Sequence, residues 1–121
     1  MGSRWGQTAL NPYGTIVSLP APITCTAQNL FFTSPFTPTA MQGAGGTLGV
    51  TLYRATAAAG GGSMAATALT CTIATGAYGC ADTTHTVALT GGDFLELHVA
   101  GSNNGGLLSG AIAVNVTWQC Q

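Results

Sequence analysis

The stretch Ile112-Ala113-Val114-Asn115-Val116-Thr117-Trp118 decides how the whole chain reads. Ile112, Val114, Val116 and Trp118 fall on one face, with Ala113, Asn115 and Thr117 on the other, which is the alternation of a strand with one buried side. The same period recurs upstream. Leu95, Leu97 and Val99 alternate with Phe94, Glu96 and His98, and Leu48, Val50 and Leu52 alternate with Thr47, Gly49 and Thr51. Leu69, Cys71 and Ile73 alternate with Thr70 and Thr72, and Val87 and Leu89 mark a short strand after Asp82-Thr83-Thr84. Thr, Val, Ile and aromatic residues suit such pleated, half-buried surfaces. No apolar stripe of helical spacing has useful length, so the fold class is all-β.

Turn residues punctuate these runs. Gly43-Ala44-Gly45-Gly46, Gly60-Gly61-Gly62-Ser63, Gly91-Gly92-Asp93 and Ser102-Asn103-Asn104-Gly105-Gly106 separate them, and Pro20, Pro22, Pro35 and Pro38 mark strand ends or edges. The spacing predicts about eight strands, near 14–19, 23–33, 47–54, 67–74, 77–81, 84–89, 93–100 and 110–119. That pattern suits a single antiparallel β-sandwich of jelly-roll topology, with an eight-stranded up-and-down barrel as the competing layout. Residues 1–13 hold Trp5, Leu10 and Tyr13 without a period. They read as an extended N-terminal arm ahead of a sandwich over 14–121, and its three apolar side chains anchor it to a capsid protein or a neighbouring copy; the alternative is an arm that packs along its own sandwich.

Composition narrows function by exclusion. Five of the 121 residues are charged, 4% of the chain, against about 25% in an ordinary domain. A net charge of −1 removes the counterion-release term of nucleic-acid binding and the polybasic attraction to membranes. With 46% of residues apolar, disorder is excluded as well. The N-terminus has no apolar signal-peptide core, and Gly6 stands where a myristoylation signal wants Ser or Thr. Asn115-Val116-Thr117 matches the glycosylation triplet, but it sits mid-strand in a chain without a secretory route and reads as chance.

Four cysteines with no signal peptide pull in opposite directions, toward an oxidised exterior and a cytoplasmic origin. A virion protein, made in a host cytoplasm and released by lysis, meets both conditions. No Cys-x-x-Cys pair points to zinc. If Thr75-Gly76 is a two-residue hairpin turn, Cys71 lies opposite Cys80 in a non-hydrogen-bonded pair with Cα atoms about 4.5 Å apart, within disulfide reach. Two buried free thiols are the less favoured alternative. Cys25 and Cys120 either pair or stay free. A jelly roll that places its first and last strands side by side would allow the bridge, but Cys25 and Leu30 fall on opposite faces and leave the register open.

Two carboxylate–imidazole pairs, Asp82 with His85 and Glu96 with His98, could hold a metal or serve a catalytic relay. The plainer reading makes Asp82 a turn cap and puts Glu96 and His98 on an exposed sheet face. The plainer reading is preferred, so no catalytic residue, cofactor or metal is expected.

The runs Ala68-Leu69-Thr70-Cys71-Thr72-Ile73, Cys80-Ala81-Asp82-Thr83-Thr84-His85-Thr86-Val87 and Gly91-Gly92-Asp93-Phe94-Leu95-Glu96-Leu97-His98-Val99 resemble small jelly-roll modules of bacteriophage virion proteins. Those modules are akin to trimeric tumour-necrosis-factor-like and complement-globular-head domains. The resemblance covers roughly residues 15–120. It implies a homotrimer with a structural or receptor-binding role, and not an enzyme. With only a short arm before the module, the expectation is a capsid cement or decoration protein on the virion exterior, partnered by the major capsid protein. The alternative is a fibre-tip or lectin-like module binding a host-surface glycan, to which Tyr78, His85 and Asn103 would contribute.

Overall fold

The computed structural model describes residues 2–9, 13–21, 23–42, 45–102 and 112–121. Eight strands carry the fold: β1 (Gly2–Ala9), β2 (Tyr13–Pro20), β3 (Cys25–Thr33), β4 (Leu48–Ala55), β5 (Ala65–Ile73), β6 (Gly79–Leu89), β7 (Phe94–Gly101) and β8 (Ile112–Cys120). One short helix, α1 (Pro38–Gln42), lies between β3 and β4.

The strands pair as nested hairpins about the connection between β4 and β5. β1 runs antiparallel to β8, β2 to β7, β3 to β6 and β4 to β5. This four-deep hairpin is then rolled, so that β3 also meets β8 and β4 also meets β7. Two four-stranded sheets result, ordered β1-β8-β3-β6 and β2-β7-β4-β5. That is the jelly-roll order, and it rules out the up-and-down barrel, in which sequence neighbours would pair all the way round.

The alternation read from the sequence builds the layer between the sheets. Leu30 and Phe32 of β3 and Val116 and Trp118 of β8 are buried against Leu48, Val50 and Leu52 of β4. Leu69 and Ile73 of β5 and Leu95, Leu97 and Val99 of β7 complete a single core cluster. Each such side chain withdrawn from water contributes on the order of 1.5–3 kcal/mol.

Two strand assignments change. The runs expected at 77–81 and 84–89 are one strand, β6, interrupted by a bulge: Gln28 lies opposite Thr86 but Leu30 lies opposite Asp82. Thr83, Thr84 and His85 are all exposed there, which broke the alternation and split the strand in the sequence reading. On the other side of β3 the register with β8 also slips, between Gln28 and Phe31. Asn29 absorbs the extra residue at φ 53°, a left-handed conformation that Asn tolerates better than most residues. Its side-chain amide donates to Gln119 Oε1 at 2.6 Å. The bulge explains the parity conflict in β3. Cys25 and Ala27 face the core before it, Leu30 and Phe32 after it.

The second change concerns the N-terminus. Gly2–Ala9 pairs with β8 from Gly2 opposite Gln119 to Ala9 opposite Ile112, and Tyr13 opens β2 opposite Ala100. An arm of residues 1–13 docked on a neighbour was favoured over one packed along its own sandwich, whereas the backbone makes Gly2–Ala9 the edge strand of one sheet. Ladder hydrogen bonds need no apolar alternation, so the Gly-Ser-Arg-Trp-Gly-Gln run carried no sequence signal for it. Trp5 stands opposite Val116 in this register, and Leu10 lies outside the described residues.

Candidate functional site

Both disulfides are present, Cys71–Cys80 with Cα atoms 5.8 Å apart and Cys25–Cys120 with Cα atoms 5.4 Å apart. The first was expected from a hairpin register, and that reason was wrong. The tight turn exists, with Ala77 N–H donating to Ala74 O at 3.0 Å. The strands leaving it then part, β5 to the edge of one sheet and β6 to the edge of the other. Cys71–Cys80 is therefore a rivet between the two sheets. Cys25–Cys120 lies within one sheet: Cys120 stands opposite Ala27, so Cys25 reaches it along the diagonal on the core side.

Asp82 lies beside the rivet, buried at 6% exposure. One carboxylate oxygen accepts the N–H of Thr70, on the edge strand β5, at 3.2 Å. The other accepts the N–H groups of Thr84 and His85 across the β6 bulge, both at 3.2 Å, and the Thr84 hydroxyl at 3.1 Å. His85 Nδ1 stands 3.0 and 2.9 Å from the two oxygens, while its side chain is 58% exposed. Burial raises the Asp82 carboxyl, but the hydrogen bonds from His85 N–H, Thr70 N–H, the His85 ring and Thr84 N–H outweigh it and hold the group well below the usual carboxylate range. The residue caps a bulge and an open sheet edge, close to the turn-cap reading.

Glu96 and His98 occupy the outer face of the other sheet, on β7, with His98 Nε2 2.9 Å from Glu96 Oε2. The His98 ring stacks on Tyr53 of β4, centroids 3.8 Å apart at 19°. The two carboxylate–imidazole pairs thus sit on different sheets and cannot share a ligand. Among the described residues no group of three His, Cys, Asp or Glu side chains is placed to hold a metal.

One ion pair escaped the sequence reading. Arg54 Nε donates to Asp93 Oδ2 at 2.6 Å, with Asp93 only 2% exposed. Asp93 closes the Thr90–Asp93 turn, whose Gly92 sits at φ 93°, the left-handed geometry that a type II turn demands at that position. The Thr90 N–H lowers the Asp93 carboxyl, burial opposes it, and the Arg54 guanidinium lowers it further. Gly91-Gly92-Asp93 was legible as a turn; its pairing with an arginine 39 residues away was not.

Tyr78 and His85, named for a glycan-binding alternative, are both exposed but lie seven positions apart along the chain, roughly 20 Å at strand rise. They form no single pocket, and Asn103 lies outside the described residues. Among the described residues no helix is long and apolar enough to cross a membrane.

The fold defined by these contacts is an antiparallel jelly roll. No protein-family model matches the sequence, and no curated protein matches it significantly. The fold is similar to part of a chain in the structure of infectious bursal disease virus, Gx strain, with TM-score 0.45 and 13% identity over 97% of this chain and 32% of that one. This chain therefore spans about a third of that neighbour's length. A likeness of that size does not decide function.

Proposed function

We propose that the protein is a structural virion component, a capsid cement or decoration subunit that forms a homotrimer and ties neighbouring copies of the major capsid protein together on the outside of a bacteriophage shell. The reading is non-enzymatic and needs no cofactor, nucleic acid or membrane. One observation carries it: the formal charges of Arg54, Asp82, Asp93 and Glu96 are met within the subunit. Arg54 pairs with buried Asp93, Asp82 is consumed by backbone donors, and Glu96 meets His98. The surface this leaves, rich in Thr and Ala, loses the mutual repulsion that keeps monomers apart and suits dense packing against other subunits. The two bridges add resistance outside the cell.

The test is the copy number in purified virions. Hundreds of copies per particle support a cement role, and a handful would move the protein to a fibre tip. Binding on a glycan array at a few copies per particle would replace the cement reading with the receptor-binding one.

A further inference from the structure

The two bridges divide the chain unevenly. Cys25–Cys120 closes residues 25–120 into a covalent loop, and Cys71–Cys80 lies inside that loop. β1 and β2 precede it. β2 is tied down where it ends: Ala21 N–H donates to Asp93 O at 2.7 Å, and Gly92 N–H donates to Ala21 O at 3.1 Å. β1 is held differently. It stands at the end of its sheet with β8 as its one strand neighbour, and no bridge fastens it.

The link from β1 to β2 is short for what it joins. Ala9 ends in the sheet ordered β1-β8-β3-β6, and Tyr13 begins in the sheet ordered β2-β7-β4-β5. Only residues 10–12 stand between them. Sheets packed face to face lie about 10 Å apart, and the four steps from Ala9 to Tyr13 reach at most about 13–14 Å. The link has little slack, and Pro12, whose ring fixes φ, takes one rotation from it. A short, stiff connection of this kind favours a strand that pairs with another molecule over one that folds back on its own.

We propose that β1 of one copy pairs with β8 of the next, in the register it has here, and that copies close head to tail into a ring. The proposal rests on the reading of the chain as a self-assembling subunit and names the contact that joins the copies. The ladder fixes the occupant of the β8 edge. It runs from Gly2 opposite Gln119 to Ala9 opposite Ile112 without a register shift, whereas the ladders of β2 with β7, β3 with β6 and β4 with β5 each carry one. The same segment of a second copy satisfies every one of these backbone groups, so exchange keeps the whole ladder and relieves the short link. No disulfide has to open, because the exchanged strand precedes both loops. Head-to-tail exchange closes at any small number of copies, three included. It also leaves β8 no free edge on which unrelated chains could add a strand.

The experiment places a cysteine pair across this ladder in the full chain: Gly6→Cys with Asn115→Cys, and in a second variant Arg4→Cys with Thr117→Cys. Opposed positions of an antiparallel pair have Cα atoms about 4.5–5.5 Å apart, within disulfide reach. Native mass spectrometry gives the assembly state of wild type, and non-reducing gels with peptide mapping locate the new bond and verify the two native bridges. Wild type is expected to assemble, and each variant to shift from single-chain mass to covalent multiples, with position 6 joined to 115, or 4 to 117, between chains. An assembled wild type whose variants carry that bond at single-chain mass overturns the exchange and leaves self-assembly standing. A wild type that stays at single-chain mass overturns the self-assembly reading, and the exchange with it. Native bridges intact and neither new pair linked would overturn the register on which the exchange depends.

Discussion

The two open edges of the sandwich are closed by different means. At the β5/β6 edge, a disulfide joins the sheets and Asp82 fills a backbone donor of β5 while capping the bulge of β6. Unpaired edge donors invite pairing with other chains, and this edge is blunted by a covalent bond, a buried carboxylate and a bulge. At the β1/β2 edge there is no cysteine, since the first is Cys25, and β1 is held along β8 by backbone pairing. The nearest bridge is one strand in, where Cys25–Cys120 fixes β8 to β3. One edge is locked locally, and the other only through the strand that carries it.

Removing each bridge breaks this comparison most directly. By loop-closure entropy, Cys25→Ala/Cys120→Ala should cost about 4–5 kcal/mol and Cys71→Ala/Cys80→Ala about 2–3 kcal/mol, for loops of 95 and 9 residues. Urea denaturation of the two double variants measures both. The short bridge should also change local behaviour, so that amides of Ala65–Ile73 exchange faster than the global loss of stability requires. Equal costs for the two variants would mean that strand placement, and not loop length, sets their worth.

Asp82→Asn tests the carboxylate at the locked edge. The amide sets a donor against either Thr70 N–H or the Thr84 and His85 pair, and the expected cost is about 1.5–3 kcal/mol. The acid dependence follows with a definite sign. Asp82 and Asp93 are both held below their unfolded value near 3.9, so the stability they contribute is complete above about pH 5. It is lost as pH falls through 3.9 toward their folded values. Melting temperature should be flat between pH 5 and 7 and drop below pH 4, with a shallower drop in Asp82→Asn; identical slopes would remove Asp82 from the account.

The smallest expected effect sharpens the comparison from the other side. In native-state hydrogen exchange, Gly2–Ala9 should open at a lower free energy than Gly79–Leu89, because an edge strand outside both disulfide loops opens without disturbing the core. Protection of β1 equal to that of β6 would show that the two edges unfold as one unit.

Much of the fold was legible because side-chain alternation is a local property. Ile112 to Trp118, Leu95 to Val99 and Leu48 to Leu52 announced their strands and buried faces without reference to any partner. The count of eight strands survived through two compensating errors, β6 read as two strands and β1 read as none. The bulge at Asn29 was visible only as an unexplained change of parity between Cys25 and Leu30.

By itself, then, the sequence determined the all-β class, the inward faces, the turn at Thr75-Gly76 and the closeness of Cys71 to Cys80, because each follows from neighbours along the chain. Only the tertiary structure decided that β5 and β6 join different sheets, that Arg54 reaches Asp93, and that Cys25 pairs with Cys120. Sheet membership depends on which distant strands bury a strand's apolar face. In a jelly roll those partners come from opposite halves of the chain, where local periodicity carries no information about them.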